Sequence, residues 1–431
     1  MKNVYMCMST DILHNGHIKM IAQAAALGEL TIGVLTDEAV AKYKRYPLLC
    51  FDERCQIVSN IKGVVNVVRQ ESVDYEENLL SLKPDIVVHG DDWREGPQQG
   101  IRAKVIQTLS TYGGELVEFP YTRDVSLDTL EENARHIAAM PEVRRGRLKQ
   151  LLRLKPTISI LEAHNGLTGL IVEKTTAQRG DRLVQFDGMW VSSLCDSTAK
   201  GKPDIELIDN TSRFQTISQI MEVSTKPIIL DGDTGGLLEH FPFLVKSLER
   251  MGVSAVIIED KEGLKRNSLF GTAAKQTQAS IESFSAKIRA GCHARTTADF
   301  MIIARIESLI LEQGMQDALD RARAFVDAGA NGIMIHSRKK TPDEIFEFCE
   351  KFRLTDPQTP LVVVPTTFNM VTEEEWAARK VNIVIYANHL IRSAFPAMQS
   401  TARLILEKGR CMEADDVCMP IKQILTLIPE E

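Results

Sequence analysis

The 431-residue chain has no C-x-x-C pair among its eight cysteines and no His/Cys cluster at metal-ligand spacing. A disulfide scaffold and a zinc ribbon are therefore not expected, and scattered thiols fit a reducing cytoplasm. Nor is there an excess of positive charge: 51 Lys and Arg stand against 58 Asp and Glu, for a pI of about 5.8. That excludes a generally basic surface, and no nucleic-acid partner is expected. No apolar run approaches ~18 residues, and the opening MKNVYMCMSTDILHNGH has no long apolar stretch, so neither a membrane span nor a signal peptide is expected. What is present is an ordinary balance of 44% hydrophobic and 25% charged residues. It is enough for a large core, and the length suggests two or three domains of ~100–200 residues each.

Over residues 1–130, short apolar runs alternate with amphipathic stretches. Val4–Met8, Leu30–Leu35, Val64–Val68, Asp85–His89 and Glu115–Phe119 read as strands, and His17–Leu27 as a helix. This predicts a parallel, doubly wound sheet forming one complete small α/β domain. Residues 131–155 change character: Pro141 breaks the chain, and Arg144, Arg145, Arg147, Lys149, Arg153 and Lys155 then alternate with leucines. The pattern reads as a linker followed by a helix with one solvated basic face, with an anion-binding patch as the alternative.

From 156 to 431 a second rhythm follows. Its apolar runs are Ile158–Leu161, Phe186–Val191, Pro227–Leu230, Ala255–Ile258, Phe300–Ala304, Gly332–Ile335, Leu361–Val364 and Ile383–Tyr386. Helical stretches such as Ala318–Ala328 and Pro342–Phe352 lie between them. Near-continuous apolar runs suit strands buried on both faces, and eight such units predict a (β/α)8 barrel. In a barrel the C-terminal strand ends carry the chemistry. Here those ends include Glu162 and His164, Asp231 and Asp233, Glu259, Asp260 and Lys261, Arg305 and Glu307, and His336. Asp231, Asp233 and Glu259 are hard oxygen ligands without a Cys or His partner among them, a donor set that suits Mg²⁺. Arg305 and His336 supply positive charge and donors for an anionic substrate.

Residues 156–425 closely resemble the phosphoenolpyruvate mutase/isocitrate lyase superfamily, in the mutase branch. The matching segments are EAHNGL (Glu162–Leu167), WVSSL (Trp190–Leu194), KGKPDIE (Lys200–Glu206), DGDTGG (Asp231–Gly236), EDKEGLKRNSL (Glu259–Leu269), ARIES (Ala304–Ser308), HSRKK (His336–Lys340) and YANH (Tyr386–His389). The resemblance implies Mg²⁺ at Asp231, Asp233 and Glu259, partly through water. It implies a pyruvate site lined by Trp190, Ser192, Ser193 and Leu194, and Asp204 flanking the reaction centre. Arg305 and His336 would grip a phosphoryl group, and Lys265, Asn267 and Ser268 would lie on a gating loop. The implied reaction interconverts phosphoenolpyruvate and phosphonopyruvate, and the implied assembly is a homo-oligomer, usually a tetramer. The lyases of the superfamily carry a Cys in a K-x-C-G-H-type loop, whereas the loop here has none; Cys195 and Cys292 lie elsewhere. A phosphonopyruvate hydrolase is the other alternative. That relative carries Thr where the mutases carry Asn, and Asn267 favours the mutase.

The N-terminal residues 1–130 resemble the HxGH nucleotidyltransferases, in the cytidylyltransferase branch. STDILHNGHIKMI (Ser9–Ile21), GVLTDEAVAKYK (Gly33–Lys44), FDERCQIVSNIKGVVNVV (Phe51–Val68) and KPDIVVHGDDW (Lys83–Trp93) carry the likeness. It implies that His14 and His17 stabilise an α-phosphate, that Lys44 touches the triphosphate, and that Asp91, Asp92 and Trp93 shape the site. The family's closing R-T-x-G-I-S-T-T segment is matched at Thr122 and Ser126, while Asp124 replaces its Gly and Arg123 stands near the missing Arg. The fusion implies CTP and a small phosphonate, such as 2-hydroxyethyl- or 2-aminoethylphosphonate, as partners of this domain. A non-catalytic nucleotide-binding or assembly module is the alternative.

Overall fold

The computed structural model describes all residues except 44–46, 48, 96–97, 121–124, 181, 264, 274 and 429–431, and leaves the side chains of 41–43, 125–131 and 182–183 undescribed. The first unit is a five-stranded sheet of β1 (Asn3–Met8), β2 (Glu29–Leu35), β3 (Val64–Gln70), β4 (Ile86–Gly90) and β5 (Glu115–Phe119). Its order is β3-β2-β1-β4-β5, and every pairing is parallel. The order reverses direction beside β1, so the turn after β1 opens at the crevice where such sheets bind ligands. Helix α1 (Asn15–Ala25) starts there, with the His14 imidazole accepting from Gly16 N at 3.1 Å as its N-cap.

The second unit is a closed parallel barrel. Its strands are β6 (Ile158–Glu162), β7 (Gly188–Val191), β8 (Ile228–Asp231), β9 (Ala255–Glu259), β10 (Met301–Ile306), β11 (Gly332–Ile335), β12 (Leu361–Val363) and β13 (Ile383–Tyr386). They run in chain order around the barrel, β13 closing on β6. The protein is thus α/β throughout, a doubly wound domain followed by a (β/α)8 barrel. Alternate strand residues serve two cores. Ile229, Ile257, Ile303 and Ile383 point into the barrel, while Leu230, Val256, Ile302 and Val384 pack outward against the helices. Several strands extend one residue past their apolar run, so Asp231 and Glu259 are themselves the last residues of β8 and β9. An exposed hairpin, Thr176–Arg179 with Arg182–Gln185, precedes β7 and left no clear alternation in the sequence.

The basic segment differs in part from the sequence expectation. Pro141 does break the chain, between a helix that ends at Ala139 and helix α2 (Pro141–Leu154), which it opens at the first turn, where its missing N–H costs nothing. But the basic face is not wholly solvated: Arg144, Arg145 and Arg147 are buried, while Arg153 is exposed. Arg144 donates to the Ser224 carbonyl at 2.7 Å and Arg145 to the Glu249 carbonyl at 3.0 Å, both at the ends of barrel helices. Leu148 and Leu151 join the inner barrel residues. The helix therefore packs on the barrel, its guanidiniums donating to carbonyls at the ends of barrel helices. Arg144→Ala should strip a donor from a buried carbonyl and cost about 1–3 kcal/mol, read as a lowered thermal midpoint of the full chain. An unchanged midpoint would contradict this anchoring.

The last long helix, α3 (His389–Lys408), has no fully buried residue and leaves Phe395, Met398 and Leu406 exposed. Among the described residues, no helix is long and apolar enough to cross a membrane.

Candidate active site

The barrel mouth is built on a tight turn after β8. Gly232 donates to the Ile257 carbonyl at 2.7 Å, and Glu259 N donates to the Asp233 carbonyl at 2.8 Å. A side chain at 232 would meet Val256 at 2.6 Å, so only glycine lets the turn lie this close to β9. Asp233 itself sits at φ +53°, the left-handed region that non-glycine residues occupy at some cost. The turn thereby brings Asp231, Asp233 and Glu259 to one place.

Each carboxylate is held differently. Asp231 Oδ2 accepts from the Ser193 amide at 3.1 Å and from Ser193 Oγ at 2.8 Å. Burial pushes its carboxyl up, but Lys265, Arg305 and Arg213 outweigh this and hold it well below the usual carboxylate range. Asp233 lies between Lys265 Nζ and Arg213 NH1, the latter at 2.6 Å. Glu259 is wholly buried, and neither of its oxygens has a hydrogen-bond partner. Lys261 Nζ at 3.2 Å and Arg305 NH2 at 3.4 Å are its cationic neighbours, and burial pushes its carboxyl up despite them. A buried carboxylate with two orphaned acceptors, beside two aspartates, fits a hard divalent cation. Among the described residues no three His, Cys, Asp or Glu side chains are grouped closely enough to hold a metal ion by themselves.

Above these carboxylates lies a cavity of about 60 Å³. Its wall includes Trp190, Ser192, Ser193, Leu194, Asp204, Asp231, Lys265, Asn267, Ser268, Arg305 and His336, eleven of the thirteen barrel residues singled out in the sequence; Asp233 and Glu259 lie outside this wall. Ser192 caps the helix beginning at Ser193, so that helix's amide end faces the cavity. The loop after β9 is tied at its base by an antiparallel bridge of Lys261 to Gln278. From it Lys265 reaches Asp204 at 3.2 Å and Ser193 Oγ at 2.6 Å, and Asn267 Nδ2 donates to Asp204 Oδ2 at 2.8 Å. On the far side Arg305 NH2 lies 3.0 Å from His336 Nδ1. The same Nδ1 lies 3.4 Å from Glu307 Oε1, which can only accept, whereas Arg305 can only donate, so the two neighbours make opposite demands on that nitrogen. Burial and the neighbouring Arg305 hold the imidazole below its ordinary range, which agrees with a neutral ring.

Sequence reasoning gave no role to Arg213, a helical residue far from any strand end, although its ion pair shapes Asp233. A charge placed among apolar helix positions, in NTSRFQTISQI, was the signal. Thr366 and Asn388 also line the cavity, with Met334 and Val364 as apolar wall. Cys195 is buried, donates to the Ala387 carbonyl at 3.3 Å and has its thiol pushed up by burial, so it offers no lyase acid.

In the first unit the His14 and His17 rings lie 3.9 Å apart, centroid to centroid, where β1 hands over to α1. Trp93 is core rather than surface: it stacks on His89 at 3.7 Å and donates to Glu118 at 2.7 Å. Asp91 and Asp92 open the short turn after β4, with Asp92 3.8 Å from His89. Lys44, Thr122 and Arg123 lie outside the described residues, as does the side chain of Ser126.

The fold and this mouth define a (β/α)8-barrel enzyme with a charge-lined cavity. The chain belongs to the phosphoenolpyruvate phosphomutase family, whose profile matches residues 148–406. Residues 9–126 match a family described as cytidylyltransferase-like. A phosphoenolpyruvate phosphomutase of Tetrahymena pyriformis is 36% identical over 285 residues, covering 66% of this chain and 91% of that one. A phosphonopyruvate hydrolase of Variovorax sp. (strain Pal2) is 37% identical over 273 residues, covering 63% and 90%. The solved structure of a phosphonopyruvate hydrolase in complex with oxalate and Mg++ superposes with a TM-score of 0.59 at 34% identity, covering 66% of this chain and 94% of that one. Identity alone does not divide mutase from hydrolase.

Proposed function

We propose that the barrel interconverts phosphoenolpyruvate and phosphonopyruvate by moving a phosphoryl group between the enol oxygen and C3. The observation that carries this over hydrolysis is Asn267 on the loop, bonded to Asp204 across the cavity. Phosphoryl transfer runs through a loose, metaphosphate-like state, so it needs positioning and charge more than a nucleophile. Asp231, Asp233 and Glu259 would hold Mg²⁺, which supplies charge to stabilise the pyruvate enolate. Trp190, Ser192, Ser193 and Leu194 line the pyruvate site, with the Ser192 and Leu194 amides toward its carboxylate and the Ser193 amide on Asp231. Arg305, His336 and Asn267 hold the phosphoryl group while Asp204 and Lys265 flank it. The loop carrying Lys265, Asn267 and Ser268 keeps water away.

Phosphorus NMR of protein, Mg²⁺ and phosphonopyruvate tests the reading. Phosphoenolpyruvate should form; inorganic phosphate alone would make the chain a hydrolase. Asn267→Ala should cut isomerisation by roughly a hundredfold, the scale of losing one well-placed transition-state donor. Isomerisation at the wild-type rate in that variant would remove Asn267 from the mechanism.

For the first unit, we infer a CTP:phosphonate cytidylyltransferase in which His14 and His17 face the α-phosphate. The paired rings at the sheet's crevice support this, as does the cytidylyltransferase-like match. We further infer a homo-oligomer, supported by the exposed apolar side chains of α3. Phe395→Glu with Met398→Glu should lower the mass seen by light scattering. A wild-type chain that runs as a monomer would end that inference.

A further inference from the structure

The buried charge of the barrel extends a layer behind the cavity wall, and Glu307 stands at its centre. It lies just past β10, wholly buried, and takes no part in the wall itself. Glu307 Oε1 accepts from Arg305 Nε at 2.6 Å. Its Oε2 accepts from Ser268 Oγ and lies 3.2 Å from Lys261 Nζ. Its amide donates to Asp260 Oδ1 at 2.9 Å, which ties it to the residue where the gating loop departs from β9.

Ser268 is the loop's share of this network. Arg305 NH2 donates to its hydroxyl at 2.6 Å and Lys261 Nζ at 2.9 Å. A hydroxyl has two acceptor positions and one proton. Arg and Lys can only donate, so they occupy both acceptor positions, and the single proton must go to Glu307. One carboxylate therefore orients the guanidinium through Nε and the loop through Ser268. If the loop lifts, Glu307 and Arg305 each lose a partner inside a buried site, where an unpaired charge is costly.

We propose that Glu307 is a positioning residue that aims Arg305 and, through Ser268, latches the loop over the site, making loop closure and alignment of the phosphoryl grip a single event. The proposal rests on the barrel reading above. The test uses the full chain with Mg²⁺ and oxalate, and measures the rate of tryptic cleavage after Arg266, an exposed residue of the loop. Ser268→Ala and Glu307→Gln should each speed that cleavage roughly tenfold, the scale of losing one charge-assisted hydrogen bond. The double variant should be no faster than the faster single one, because both changes remove the same contact. Ser268→Thr, which keeps the hydroxyl, should cleave as wild type. With phosphonopyruvate, Glu307→Gln should lower kcat far more than it changes KM, since a misaimed grip is felt in the transition state. Wild-type cleavage in Ser268→Ala, or multiplying effects in the double variant, would overturn the latch. If Glu307→Gln does not fold, Ser268→Ala against Ser268→Thr decides alone. The cleavage assay reads no turnover, so a chain that proved to be a hydrolase would leave its result intact.

Discussion

Asp231→Ala is expected to abolish isomerisation of phosphonopyruvate while leaving the barrel folded. Two donors from Ser193 fix Asp231 Oδ2, and Lys265, Arg305 and Arg213 hold its carboxyl well below the usual carboxylate range. It is also the one of the three acidic residues that lines the cavity. Removing it would take a ligand from the proposed cation and free Ser193, which lines the proposed pyruvate site. Losing several kcal/mol of charge stabilisation corresponds to a fall of roughly a thousandfold or more. Phosphorus NMR time courses at saturating Mg²⁺ measure it, with circular dichroism as the check on folding. Full activity of this variant in the presence of a chelator would end the metal assignment.

The second large effect is expected at His17. In the full chain, with CTP, Mg²⁺ and 2-aminoethyl- or 2-hydroxyethylphosphonate, His17→Ala should lower pyrophosphate release by roughly a hundredfold to a thousandfold. The change withdraws a donor from the α-phosphate, where charge builds up, and leaves His14 as the helix cap. Isomerisation by the same variant should be unchanged, because the barrel's groups all lie beyond residue 156. If wild type releases no pyrophosphate with either phosphonate, the first unit is a binding or assembly module. If His17→Ala loses isomerisation, the two units are coupled.

The strands were legible because each satisfies its environment locally. A four-residue run such as Ala255–Ile258 is buried on both faces, and its apolar composition states that without reference to the rest of the chain. The polar strand ends were legible for the same reason, since a barrel forces them to one mouth. The charge on α2 misled for a related reason. Residue type alone cannot separate an arginine facing water from one whose guanidinium caps the carbonyls of neighbouring helices, as Arg144 and Arg145 do. Arg213 and the roles of Glu307 and Lys261 escaped because they act on other side chains rather than on a substrate, and only contact reveals that.

The sequence by itself determined the two units, their order, the parallel sheets and the side chains available at the barrel mouth, because periodicity and composition encode which face of each element is buried. Tertiary structure decided how those side chains are used. It set Asp233 between Lys265 and Arg213, left Glu259 without a hydrogen bond, and turned Ser268 inward to Glu307 from a loop whose stretch of sequence has no periodicity to read. These are pairings between residues from 7 to 39 positions apart, among them Lys261 with Ser268 and Ser268 with Glu307. Their energies depend on distance and burial, which closure of the barrel sets and no local pattern records.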